Sequence, residues 1–435
     1  MDSASFIIIA LGIVAFAVLS GRLSATSLTP PLVFTAFGLM LGEAGFGLAP
    51  MGFEHGFVHT LAEVTLILVL FSDAARIDVG ALKTDHTLPI RMLGLGLPLT
   101  VVAGTAAALI LPLGLSVWDA ALLAAILAPT DAALSQAVVT ARAVPARIRQ
   151  ALNIESGLND GISLPIVLFF ACLADASHNL ADRNWIQFIM LQITLGPLVG
   201  YGVGRIGGWL VERAVQAKWM EEAFQGPAIL ALAFLSYALA GQVGGNGFVA
   251  AFFAGMVFGR HLRGQCGFVF EFADSQGQLL TLLTFLLFGA AVLPEALTAV
   301  SVPMLLYVML SLTIVRMVPV ALSLWGTGVH AETRLFLGWF GPRGLASLLF
   351  GLFVVEDMAS PFAHDILMIT LLTVAGSILL HGMSAAPLAR IYGAAMAAHK
   401  DGGRAEAEHR EVTEFPLRLG RLSRRLMRGE DQGLT

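Results

Sequence analysis

The chain has 435 residues, of which 57% are hydrophobic and 13% charged, with a formal net charge of -5. Soluble globular proteins carry about 45–50% apolar and about 25% charged residues. Together with a mean hydropathy of +0.81, this excludes an ordinary soluble enzyme, a nucleic-acid binder and a disordered chain. Most of the surface must face lipid, and at about 20 residues per crossing the apolar content suffices for a dozen or so helices.

Apolar stretches bounded by Gly, Pro or charged clusters predict thirteen spans, at residues 6–20, 28–42, 57–72, 88–111, 116–139, 150–174, 185–211, 224–243, 246–261, 269–293, 297–325, 333–355 and 364–389. No Lys or Arg precedes Arg22, so the first stretch lacks the basic start of a signal peptide and reads as a retained span. Loops after odd-numbered spans, with the span ends that border them, hold 12 basic residues; loops after even-numbered spans hold Arg183 alone; the tail holds nine more. Lys and Arg resist translocation, which predicts an outside N-terminus and a cytoplasmic C-terminus. The two cysteines, Cys172 and Cys266, cannot make a disulfide framework or a Cys-rich metal site.

Span five, DAALLAAILAPTDAALSQAVV, and span twelve, TRLFLGWFGPRGLASLLFGLF, each carry a proline beside a charge deep in an apolar run. Proline removes a backbone donor and glycine loosens the helix, so both spans are expected to be unwound at Pro129 and Pro342. Spans four to six and eleven to thirteen repeat at a similar offset. Seven spans separate them, so the two groups run in opposite directions across the bilayer. Inverted repeats (spans 1–6 and 8–13) whose broken helices cross near the midplane are an architecture of secondary transporters. Unwound backbone is tolerated in lipid only where it lines a cavity or is buried in protein.

A charge at the bilayer centre costs at least about 2.5–3.5 kcal/mol. Three carboxylates fall where that cost applies, Asp131 in span five and Glu155 and Asp160 in span six; Arg316 and Arg343 are the counter-ions expected for them. Five residues is roughly 500° of helix, so Glu155 and Asp160 point about 140° apart. One can face a partner while the other faces a cavity. Carboxylate, hydroxyl and backbone carbonyl are the hard oxygens that a dehydrated alkali cation requires, and Asn159 and Ser156 add neutral groups nearby.

These residues resemble a known family. ALNIESGLNDGISLPIVLFF is similar to the Glu-Ser-x-x-Asn-Asp signature of the monovalent cation:proton antiporters, specifically the NhaP-type sodium/proton exchangers. The APTD of span five, the GPRG of span twelve and LTIVRMVPV in span eleven resemble further motifs of that family, in the same order. The resemblance implies that Asp160 binds the cation and, in turn, a proton. Asp131, the backbone and side chain of Thr130, and Ser156 would help ligate the ion. Glu155 would pair with Arg343, and Arg316 would compensate charge. Asn159 marks the Asn-Asp form associated with one-for-one, electroneutral exchange. No cofactor is implied. The expected partners are Na+, Li+ or K+, H+, the lipid of a plasma (inner) membrane and a second copy of the chain. Residues 1–76 and 224–293 would form a dimerisation domain, 88–176 and 297–390 the transport core, 184–213 a linking span and 391–435 a basic tail. Ala128 stands where many relatives have Ser, and Ala-Ala follows APTD, which puts ion selectivity in question.

Other signals are weaker. Gly202, Gly204 and Gly207 match Gly-x-Gly-x-x-Gly, but no strand precedes them. Gly196, Gly200, Gly204 and Gly208 recur every four residues, a spacing that brings helices into close contact in lipid. Glu63 reads equally as a cavity residue or an interior pair. Asp73 and Asp78 read as solvated at the end of span three, and Glu271 and Asp274 as interfacial. His261, His364 and His381 are candidates for sensing pH, but lone histidines near span ends read more simply as wetted residues. Phe415, Leu419, Leu422 and Leu426 form a stripe among arginines, readable as a basic amphipathic helix on the inner leaflet or as a loose tail. Na+ or Li+ is the expected cation; the main competing reading is a K+/H+ exchanger or a cation-coupled symporter of the same fold, with a channel as the reading from a different class. An intramembrane enzyme fits less well, because neither a Gly-x-Ser-x-Gly elbow nor a zinc motif is present.

Overall fold

The computed structural model describes residues 3–23, 26–48, 55–76, 86–131, 134–178, 185–262, 267–356, 358, 360–401 and 407–410. Among these residues all regular structure is helical, and each predicted stretch falls on a helix or on a run of helices. Helices α1 (Ser3–Leu23), α2 (Pro30–Leu41) and α3 (His55–Arg76) take the first three. The fourth is α4 (Thr87–Arg91) joined through a π-turn at Met92–Gly96 to α5 (Leu97–Ile110). The fifth is α6 (Val117–Ile126) and the short α7 (Gln136–Val139), and residues 127–131 between them are non-helical. Long helices α8 (Ala146–His178) and α9 (Trp185–Gln216) follow, then α10 (Glu222–Gln242) and α11 (Gly247–Leu262). The tenth stretch is α12 (Gly267–Leu287), a π-turn at Phe288–Val292 and α13 (Leu293–Thr298). The last three are α14 (Val302–Leu312) with α15 (Ile314–Ser323), α16 (Ala331–Trp339) with α17 (Leu345–Glu356), and α18 (Ala363–Asp401). Seven of these helical runs are long and apolar enough to cross a membrane, and large apolar side chains such as Phe6, Ile110 and Val302 face outward on them.

Both π-turns precede a helix whose second residue is proline, Pro98 or Pro294. The missing N–H leaves a carbonyl one turn earlier without its helical partner, and a wider turn absorbs the misfit. Three boundaries differ from expectation. The tenth stretch runs on to Thr298, and the eleventh starts at Val302, where the Ser301 hydroxyl accepts from Met304 N at 3.4 Å and Pro303 occupies the first turn. The eleventh is interrupted at Thr313 (φ -121°, ψ -96°), a break without a proline that the sequence reading missed. The last helix continues to Asp401. Beyond it, buried Glu408 accepts hydrogen bonds from His330 N (2.7 Å) and Thr333 Oγ1 (2.9 Å), tying the following segment to the start of α16. The basic stripe at 415–428, Asp78, Arg183 and Cys266 lie outside the described residues, as do the side chains of His261, Glu271 and Asp274.

Helices α3, α9, α10, α11 and α12 pack together, while α5, α8, α15 and α18 pack around the two interrupted helices, α6 with α7 and α16 with α17. The glycine stripe is a packing seam. A side chain at Gly200 or Gly204 would collide with the Ala250 or Ala254 carbonyl of α11, and Gly255 and Gly259 of α11 meet the Phe71 and Ala75 carbonyls of α3 in the same way. Glu63 resolves toward interior pairing, hydrogen-bonded to Tyr237 of α10.

Candidate functional site

The chain leaves helical geometry after Ile126 and again after Trp339, and the two breaks touch. Asp131 N donates to Pro342 O at 2.8 Å, and Leu345 N, the first amide of α17, donates to Asp131 Oδ2 at 2.8 Å. In the other direction Arg343 Nη1 donates to the carbonyls of Ala128 and Pro129. The charges are thus exchanged. The carboxylate of the first break sits on the positive N-terminal end of α17, and the guanidinium of the second sits on the negative C-terminal end of α6. The helix end that Asp131 meets therefore belongs to the other interrupted span.

A buried break must account for its orphaned carbonyls. Those of Ala128 and Pro129 go to Arg343, and that of Thr130 accepts from Ser156 Oγ at 2.9 Å. Glycine is needed beside both charges. A Cβ at Gly344 would overlap the Asp131 carboxylate, and one at Gly341 would overlap the Arg316 guanidinium.

Glu155 is 2% exposed and is held by Arg316, whose Nη2 lies 2.9 Å from Oε1 and 3.0 Å from Oε2. This corrects the expected Glu155–Arg343 pair. The Thr313 break starts α15 just before Arg316 and delivers that side chain to Glu155, while Arg343 is engaged by carbonyls. Thr130 Oγ1 donates to Glu155 Oε2 at 3.2 Å and accepts from Asn159 Nδ2 at 2.5 Å. Asn159 is fully buried and supports the break from behind. Ser377 Oγ of α18 accepts from Arg343 N at 2.7 Å and bonds His381 Nδ1 at 3.1 Å. His381 is 1% exposed, so its reading as a wetted residue is overturned.

A small cleft opens at this crossing, with a cavity volume of about 20 Å³. Thr130 and Asp131 line it from the first break, Ser156 and Asp160 from α8, Gly344 to Ser347 from the second break and α17, and Leu66, Val69 and Asp73 from α3. Thr281 of α12 closes another side. Asp131 and Asp160 are half-buried; Glu155 and Asn159 are not in the lining. The helical spacing had separated the roles of Glu155 and Asp160, and they do diverge, one to a partner and one to the cavity. Asp73 is the residue that the sequence reading misplaced. It sits near the end of α3, ahead of a polar stretch, and was read as solvated, but it is half-buried and brings a third carboxylate to the cavity. Three carboxylates and several hydroxyls on one cleft form a hard-oxygen environment for a cation or a proton.

Comparison with known proteins agrees with this geometry. The family model described as "Sodium/hydrogen exchanger, transmembrane" matches residues 7–391. The K(+)/H(+) antiporter NhaP of Alkalimonas amylolytica is 28% identical over 397 residues, covering 90% of this chain and 67% of that protein. The K(+)/H(+) antiporter NhaP2 of Shewanella oneidensis is 26% identical over 366 residues, covering 83% of this chain and 62% of that protein. The chain therefore spans about two thirds or less of the length of these relatives. The sodium proton antiporter MjNhaP1 from Methanocaldococcus jannaschii, solved at pH 8, shares the fold with a TM-score of 0.70 at 19% identity, covering 88% of this chain and 98% of that one. With most of its length matched by the family model and its charged breaks crossing at one cavity, this chain is a multi-span membrane protein that belongs to the sodium/hydrogen exchanger family of cation/proton antiporters.

Proposed function

We propose that the protein exchanges a monovalent cation, Na+ or Li+ in the first reading, for a proton across a plasma membrane. Cation and proton compete for Asp160, with Asp131, Asp73, Ser156 and the backbone of Thr130 as further ligands. The observation that carries this reading is the cavity at the crossing of the two breaks, where three carboxylates meet. A bare carboxylate does not cross an apolar barrier. The carrier moves once Asp160 is neutralised, by a proton or by a cation, so flux of one is tied to counter-flux of the other. Thr130 and Asn159 act differently: the Thr130 hydroxyl is engaged by Glu155 and Asn159, and Asn159 fixes it there.

The cavity lies between the group containing α3 and α12 and the group containing α6, α8 and α17. That placement supports alternating access in which the second group moves against the first. The first group, with a partner copy, would be the fixed part, and the inverted repeats would relate the two faces. The Asn-Asp pair at 159–160 favours one-for-one exchange. A second reading, K+/H+ exchange, is favoured by the names of the two bacterial relatives.

Proteoliposomes loaded with a pH-sensitive dye test both. Added Na+, Li+ or K+ should drive proton movement that is indifferent to a clamped membrane potential, and the cation with the lowest KM identifies the substrate. Asp160→Asn should abolish exchange while the protein still inserts. Cation-driven proton movement in that variant would refute the competition mechanism.

A further inference from the structure

Several buried threonines on these helices find the carbonyl four residues earlier. Thr100, Thr281 and Thr370 donate to it at 2.8 Å and Thr373 at 2.7 Å. Ser347 departs from this pattern. It is 0% exposed, and its Oγ has no hydrogen-bond partner. The cause is the second break. Ser347 is the third residue of α17, and the residue four positions earlier is Arg343, in the unwound stretch where no helical carbonyl lies beneath the side chain. An unpaired polar group in a dry interior is costly, and buried hydroxyls are nearly always satisfied. Ser347 also lines the cavity, together with Thr130, Asp131, Ser156 and Asp160. Its hydroxyl therefore has one direction in which a partner can arrive.

We propose that Ser347 is a further ligand of the transported ion, contributed by the second interrupted helix. Resting on the exchange reading above, this assigns to the second break a direct part in coordination beyond the capping of helix ends. A lone pair on Oγ coordinates the dehydrated cation. When the site carries a proton instead, the same hydroxyl turns to hydrogen-bond within the carboxylate cluster. Both breaks then hold the ion at once, so loading the site ties α17 to α6 and α8. The residue is also placed to set selectivity. A neutral hard oxygen compensates best for the hydration lost by a small cation, so its removal should penalise Li+ and Na+ more than K+.

The test compares Ser347→Ala, Ser347→Thr and Asp160→Asn in the same liposomes, with melting temperature in detergent measured with and without added cation. Ser347→Ala is expected to raise the KM for Li+ and Na+ about tenfold, the loss of one contact of hydrogen-bond strength, with a smaller rise for K+ and little change in maximal rate. It should also lose most of the melting shift that Li+ or Na+ produces in the parent protein. Ser347→Thr keeps the hydroxyl and should keep both properties. A wild-type KM for all three cations in Ser347→Ala, or a Thr variant as impaired as the Ala one, would overturn the assignment while Asp160→Asn remained inactive. Activity in Asp160→Asn would instead overturn the exchange mechanism on which the assignment rests.

Discussion

The crossing of the two breaks and the seam where α9, α11 and α3 pack are both places where backbones come very close, and they are stabilised by opposite means. At the seam, Gly200, Gly204, Gly255 and Gly259 let one helix rest on the carbonyls of the next, with no charge involved. Lipid offers no hydrophobic force between helices, so such a seam is held by close packing alone. At the crossing, Gly341 and Gly344 make room for an Arg316 guanidinium and an Asp131 carboxylate, and the orphaned carbonyls of the first break are answered by Arg343 and Ser156. The difference teaches where each kind of contact can be used. A seam of small residues suits a body that keeps its shape. A polar network, whose strength depends on which charges are present, suits a site that must change its charge to work.

If that contrast is right, the crossing should be the more fragile of the two. The largest effect is expected for Arg316→Ala, which strands Glu155 in a dry interior. Breaking a buried pair from one side costs about 3–5 kcal/mol, read as a large fall of melting temperature in detergent. Replacing Glu155 by Gln in the same variant should recover part of the loss, because the stranded acid is then neutral. Arg343→Ala removes carbonyl caps and strands no acid, so it should cost less; a larger loss for Arg343 than for Arg316 would reverse the pairing described here. At the seam, Gly200→Leu meets the Ala250 carbonyl, which cannot rotate away, and is expected to cost about 3 kcal/mol, the upper end of overpacking penalties. Its signature should be lower stability with an unchanged KM for the cation. A changed KM would mean that the seam takes part in binding.

The seam and the two breaks could be read from sequence for the same reason: each is a local pattern, glycine every fourth residue or proline beside a charge in an apolar run. The carboxylates Asp131, Glu155 and Asp160 were legible because charge is rare in lipid. What escaped was long-range pairing. Arg316 and Arg343 are equivalent on paper, and only the kink at Thr313, which carries no Pro or Gly, decides which of them reaches Glu155. Asp73 was misplaced because the end of α3 has the composition of a wetted terminus, and only the packing of α3 against the core turns it toward the cavity. Glu408 and His381 were missed as buried groups because each meets residues far from it in the chain, His330 and Thr333 for the first and the Trp339 ring for the second.

The smallest expected effect comes from the support behind Arg343. Ser377 Oγ accepts from Arg343 N and shares a second hydrogen bond with His381 Nδ1, so it bridges the second break to its own helix. Ser377→Ala deletes this bridge and leaves one buried N–H without its acceptor, a loss of about 1–2 kcal/mol. Arg343 still caps Ala128 and Pro129, so the break should hold its shape but less firmly. The expected result is a slightly lower melting temperature together with a raised cation KM, because the turn that presents Leu345 N to Asp131 is no longer anchored to α18. A fall in stability without any change in KM would show that Ser377 only fills space. That outcome would confine the functional network to the residues that face the cavity.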